Sequence, residues 1–254
     1  MNDTYARRRE ALRRAMAENE LPALLVSHAA NRYYLSGFEL FDPQCNESAG
    51  WLVITPDDEW LLTDPRYLDA AKRHWDEDRV FVYSGKKFEQ LEQFFKGKPL
   101  AELGFEPRGL SAFDHSKLAK FAALRPTENL VEKLRRIKDA DELRALEESC
   151  ALNHRVMRAV EDHLASGMTE AEVAWEIEKR FREAGASGMA FPSIVGVDAN
   201  AALPHAIPGD AKVKDGCLVL VDTGCRLHDY CSDQTRTFWV GEKPSERFRT
   251  VRRQ

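Results

Sequence analysis

Short apolar runs set the rhythm of the first half of the chain. A charged opening stretch (residues 1–20) has helical spacing and stops at Leu21-Pro22, because the residue before a proline is pushed out of the helical region. ALLVS (23–27) follows as a strand. WLVIT (51–55) and EWLLTD (59–64), joined by Pro56-Asp57-Asp58, predict a hairpin with turn-forming residues at its centre. RVFVYS (79–84) and PLAELGFEP (99–107) predict two more strands, and residues 64–75 and 111–124 carry helical spacing. Strands mixed with helices predict an α/β domain over residues 1–126, with a linker at 127–138.

After residue 138 the pattern lengthens. Leu143, Leu146, Cys150, Met157, Val160 and Leu164 fall at the 3–4 spacing of an amphipathic helix, with Asn153 as its one polar slot. Gly167 ends that helix, and Thr169-Glu170-Ala171-Glu172 has the form of a capping box for a second one. Ala174, Ile177 and Phe181 give the second helix a buried face, which Gly185 closes. A loop rich in Gly, Pro, Asn and Asp (196–209) leads into two strands, CLVLVD (217–222) and SDQTRTFWV (232–240), and then a turn into a charged helix. Residues 139–254 therefore read as a second, α+β domain whose sheet is unfinished.

Composition narrows the class. Of 254 residues, 43% are hydrophobic and 31% charged, as in folded globular proteins. The net charge of −5 gives no general attraction to nucleic acid or anionic membrane. No apolar run approaches the roughly 18 residues of a membrane helix, and the charged start lacks a signal peptide's apolar centre. Five cysteines without such a signal suit reduced thiols and a cytoplasmic location.

Three groups of residues could carry chemistry. Asp222 ends one strand and Asp233 begins the next, so antiparallel pairing brings two carboxylates together, with Thr235 on the face of Asp233. A hydroxyl there could orient the carboxylate of a metal site, although on spacing alone the pair also reads as solvated turn residues. His205 lies between Pro204 and Pro208, where a restricted backbone fixes an imidazole able to exchange protons near neutral pH. It reads equally as a loop histidine facing water, and His154 and His163 read as structural or solvated. Cys225, His228 and Cys231 form a C-x2-H-x2-C, but a structural zinc site needs a fourth ligand, and buried or turn-lining thiols suit the pattern better.

Together LRRIKDADEL (134–143), GMTEAEVA (167–174), FPSIVGVDANAALPHAIPGD (191–210), VDTGCRLHDYCSDQTRTF (221–238) and, more loosely, ALLVSHAANRYYLSGF (23–38) resemble the creatinase/prolidase/methionine aminopeptidase family of pita-bread metallopeptidases. The first and last stretches point to members with an extra N-terminal domain: Xaa-Pro aminopeptidases, Xaa-Pro dipeptidases and creatinase. The resemblance implies an α/β creatinase-like N-terminal domain followed by an incomplete α+β pita-bread domain. It matches Asp222 and Asp233 to the first two of five metal ligands, with Asp233 bridging two divalent cations. It matches His205 to the active-site histidine that meets the substrate and stabilises the tetrahedral intermediate.

Oxygen donors suit Mn²⁺, with Zn²⁺ or Co²⁺ as alternatives, and two such ions polarise a scissile carbonyl and activate water. The implied activity is hydrolysis of Xaa-Pro bonds at the N-terminus of short peptides with proline second, by a homodimer. The family's other ligands, a histidine and two glutamates, fall beyond Gln254, so the 254-residue chain is expected to be inactive alone. Two alternatives stay open. A creatinase-like amidinohydrolase uses no metal and has no reason to keep both aspartates. A non-catalytic binding or scaffold protein would keep the fold alone.

Overall fold

The computed structural model describes residues 3–42, 47–98 and 100–252. The chain divides into two compact units, Met1–Ile137 and Lys138–Gln254.

The first unit is built on one mixed sheet, with strands β1 (Leu24–Val26), β2 (Gly50–Ile54), β3 (Glu59–Thr63), β4 (Val80–Val82), β5 (Leu103–Phe105) and β6 (Leu124–Pro126). Their spatial order is β4-β3-β2-β1-β5-β6. The expected hairpin is present, with Trp51 opposite Leu62 in an antiparallel pair. Every residue of β1 and β2 is buried, and strand alternation divides them between two cores. Leu24, Val26, Leu52 and Ile54 join Leu12 and Met16 of α1 (Asp3–Glu18) and Leu35 of α2 (Ala29–Ser36). Leu25, Trp51 and Val53 face the other way and meet Leu91 and Phe95 of α4 (Lys87–Lys96) and Leu118 of α5 (Ala112–Leu118). A short α3 (Leu68–Lys72) completes the α/β pattern within residues 64–75.

The stretch 127–138, expected as a linker, instead contributes α6 (Leu130–Arg136), whose Leu130 and Val131 are buried in the first of these cores. Its apolar residues are too few to stand out by periodicity, yet they are what fastens it. Beside β1, the buried Glu106 accepts the backbone N–H groups of Ser27 and His28 (2.8 and 2.7 Å) and the Asn31 amide (2.7 Å). Burial pushes its carboxyl above the usual glutamate range, against the opposing effect of these hydrogen bonds.

The second unit opens with α7 (Ala140–His163), capped by Asp139 and Glu142 in a reciprocal capping box. Its buried face is Ser149, Leu152, Asn153, Val156, Met157 and Val160. The apolar stripe expected further towards the N-terminus is displaced, since Leu143 is 51% exposed and Cys150 is also exposed. Polar groups take the inward positions there: Glu142 accepts the Tyr230 hydroxyl at 2.7 Å, and Ser149 donates to the Cys225 carbonyl at 3.2 Å.

The second helix, α8 (Glu170–Glu183), has the capping box read from its sequence and buries Val173, Ile177 and Phe181. Both helices pack on β8 (Ile194–Val197) and β9 (Leu218–Thr223), which join β12 (Gln234–Trp239) in a sheet ordered β12-β9-β8. A second small sheet holds β7 (Gly188–Met189), β10 (Cys225–Leu227) and β11 (Tyr230–Cys231). The chain then turns into α9 (Glu246–Arg252), where Phe248 meets Trp239 with ring centroids 5.4 Å apart.

Candidate metal site

The strand β9 alternates strictly. Val219, Val221 and Thr223 are buried towards α7 and α8, while Leu218, Leu220 and Asp222 are half-buried on the opposite face. Hydrophobic burial of the odd positions thus fixes Asp222 on the face that the helices leave open; a one-residue slip would exchange the two sets. On one side Asp222 faces Ile194 of β8, and on the other Thr235 of β12. Thr235 is therefore a direct cross-strand neighbour of Asp222, on the face that Asp233 would share by alternation. Its hydroxyl bonds neither carboxylate; the position is exposed.

The segment between the aspartates does more than turn. It leaves the β9–β12 sheet, forms the β10–β11 hairpin in the second sheet, and returns at Ser232. Gly224 makes this crossing possible. A Cβ there would lie 1.9 Å from the Ser232 carbonyl oxygen, so only glycine lets the two backbones close up and bring Asp233 back towards Asp222. His228 and Asp229 supply the two positive φ angles (50° and 63°) of the tight hairpin turn.

Asp222 and Asp233 come together. Partial desolvation, followed by the charge of Asp222 and a hydrogen bond to it, raises the Asp233 carboxyl above the ordinary aspartate range. Asp222 Oδ1 is buried and has no hydrogen-bond partner. A buried carboxylate oxygen without a donor, beside a second carboxylate, is a costly arrangement that a cation relieves. The pair therefore fits a divalent metal as two oxygen ligands. Among the described residues no group of three or more His, Cys, Asp and Glu side chains is placed to hold a metal ion, so the donor set these residues supply is Asp222 with Asp233.

Two supports could not be assigned from spacing. Asn153, the polar slot in α7, donates from Nδ2 to the Thr223 carbonyl at 3.0 Å, next to Asp222. The Thr223 hydroxyl shares a 2.7 Å hydrogen bond with Ser193. The sequence signal for Asn153 was its solitary polarity on an apolar face. Its neighbour His154, read as structural or solvated, is exposed and lines an open depression with Cys150, Ser232 and Asp233. His163 is exposed in the last turn of α7.

His205 is exposed in the loop after the short 3-10 helix Asp198–Ala202, with Leu203 and Ile207 also exposed around it. Among the described residues it bonds neither aspartate. The C-x2-H-x2-C residues do not converge. Cys225 is buried against Ser149 and Ser232, while His228 pairs with Glu148 at 3.1 Å and Cys231 is exposed.

Residues 8–137 match the creatinase/prolidase N-terminal domain, and residues 144–253 match metallopeptidase family M24. The chain is 30% identical over 245 residues to an uncharacterized peptidase of Bacillus subtilis, covering 95% of this chain and 67% of that one. It is 31% identical over 245 residues to a putative Xaa-Pro aminopeptidase of Mycoplasma pneumoniae, covering 96% and 67%. The structure of an Xaa-Pro dipeptidase from Bacillus anthracis superposes with a TM-score of 0.87 at 28% identity, over 97% of this chain and 68% of that one. The chain thus spans about two thirds of the length of these relatives.

Proposed function

Since this chain belongs to metallopeptidase family M24 and carries a creatinase/prolidase N-terminal domain, which makes it a peptidase by family, we propose that it serves hydrolysis of the Xaa-Pro bond at the N-terminus of short peptides. Two relatives named for Xaa-Pro peptidase activity support the substrate class. The observation that carries the chemistry is the pairing of Asp222 and Asp233 with a partnerless buried oxygen on Asp222. These two side chains would hold divalent cations, Mn²⁺ being the best match to carboxylate oxygens, with Zn²⁺ or Co²⁺ as alternatives. When bound, such ions supply Lewis-acid polarisation of the scissile carbonyl and lower the pKa of the attacking water.

The chain's own residues do the positioning. The β9–β12 register fixes Asp222 beside Thr235, and Gly224 lets Asp233 close on the same site. Asn153 and Ser193 hold the backbone and side chain of Thr223, so the end of β9 is fixed from the helix side. His205, on its exposed loop, would meet the substrate and donate to the oxygen that becomes negative as the carbonyl is attacked. The free thiols of Cys150, Cys217, Cys225 and Cys231 are consistent with a reducing, cytoplasmic setting. Homodimerisation belongs to the same reading and is tested by sedimentation.

The functional test is Mn²⁺-dependent release of the first residue from a peptide with proline second, by the protein that carries this chain. Asp233→Ala is expected to reduce hydrolysis to background. His205→Ala is expected to lower kcat by about 10²–10³-fold with KM nearly unchanged, as for loss of a donor to the developing oxyanion. Full activity in Asp233→Ala refutes the assignment.

A further inference from the structure

The loop that carries His205 is exposed at its tip yet fastened at both ends to one buried group. Leu203 and Ile207 are 55% and 90% exposed, and the tip's backbone bonds are local, Leu203 N–H to Asn200 and Ala206 N–H to Leu203. Apart from the buried Ala206, the tip therefore has little packing of its own to hold it still. At the base, Glu170 is 1% exposed. Its Oε1 accepts the Val197 backbone N–H at 2.8 Å and the Asn200 side-chain amide at 2.9 Å. Its Oε2 accepts the Gly209 backbone N–H at 3.1 Å. One carboxylate thus closes the stretch 197–209 like a clasp.

Three features make this group effective. Glu170 is the first residue of α8, where the helix dipole favours a negative charge. Its backbone is fixed as well: its own N–H donates to Ala211 at 3.0 Å, and the Ala171 N–H donates to Gly209 at 3.1 Å. With three donors on its two oxygens, the buried carboxylate is satisfied where it sits, and removing it would strand all three. Other ties serve one end each: Asp198 accepts the Leu218 N–H at 3.2 Å and pairs with Lys214 at 3.3 Å, and Val197 pairs with Val219 in the sheet, at the first end, while the Ala171 N–H holds Gly209 at the second. The Glu170 carboxylate is what joins the two ends.

We propose that Glu170 is a positioning residue, which holds the His205 loop in place by binding both of its ends. The role assigned to the loop rests on the reading of His205 given above; the clasp itself does not. Hydrogen–deuterium exchange on the 254-residue chain tests it. In Glu170→Ala, amides of residues 198–208 are expected to exchange at least about tenfold faster (roughly 1.4 kcal/mol), while β9 and the middle of α7 keep their protection. In Glu170→Gln, the amide oxygen can still serve Val197 and Asn200, but its NH₂ faces the Gly209 N–H. Protection should return at the 197–200 end and stay low at the 209 end.

If Glu170→Ala does not fold, Asn200→Ala removes one donor from a half-buried side chain and should loosen the same amides. Unchanged loop exchange in Glu170→Gln and Asn200→Ala overturns the proposal. So does equal acceleration of loop and core, which would mark Glu170 as a general stabiliser. His205→Ala should leave exchange unaltered, so failure of the catalytic reading would show in turnover and not in this measurement.

Discussion

The central strands of the two units put the same alternation to different uses. In β1 and β2 both sets of side chains are buried, one in each of two cores, and there is no surface left for chemistry. In β9 one set is buried under α7 and α8, and the other faces outward and ends in Asp222. A strand buried on both faces can only build a fold. A strand covered on one face holds its position with half its residues and presents the other half, and a carboxylate near its end is fixed there half-buried. The proposed site lies where the sheet has one covered face.

Substitutions can break that contrast or sharpen it. The largest effect is expected from Gly224→Ala. Its Cβ cannot coexist with the Ser232 carbonyl, so the β9–β10 crossing must open. A loss of about 4 kcal/mol or more is expected in denaturant unfolding of the second unit, at the exceptional end of single substitutions. Next, Leu25→Ala in β1 should cost about 2–5 kcal/mol, as for a fully buried leucine. Leu220→Ala, on the open face of β9, should cost well under half as much. Equal losses at the two leucines would mean that the outward face of β9 is packed after all.

The smallest effect is a pH dependence. Burial raises the Glu106 carboxyl, so the folded chain holds that proton more tightly than the unfolded chain. Its contribution to stability is complete below the unfolded pKa and is lost as pH rises through the folded value. Glu106→Gln lacks that decline, so the difference between the two stability–pH curves should follow it.

Much of this was legible in the chain. The 51–64 hairpin, the capping box at Thr169 and the antiparallel pairing of the two strands follow from turn residues and spacing alone, although β9 runs one residue past Asp222 and β12 begins one residue after Asp233. What was not legible has a common cause, polar groups put to work inside. Glu142 and Ser149 occupy the inward face of early α7 because each has a hydrogen-bond partner there, and apolar periodicity cannot register them. Glu170 stood in plain view within a capping motif, where Glu172 makes the cap and Glu170 reaches instead across to a loop some thirty residues away. Gly224 takes its purpose from the closeness of the Ser232 carbonyl, which no spacing along the chain can show.

The pairing of Asp222 with Asp233 as a cation site is tested most directly by adding Mn²⁺ alone to the isotopically labelled 254-residue chain and recording paramagnetic broadening of its amide signals. This detects even weak binding by two ligands. Broadening is expected first at residues 221–224 and 232–235, and it should vanish when Asp222→Asn and Asp233→Asn are combined. Broadening that survives the double substitution, or that spreads over the acidic surface without favouring these residues, would contradict the site.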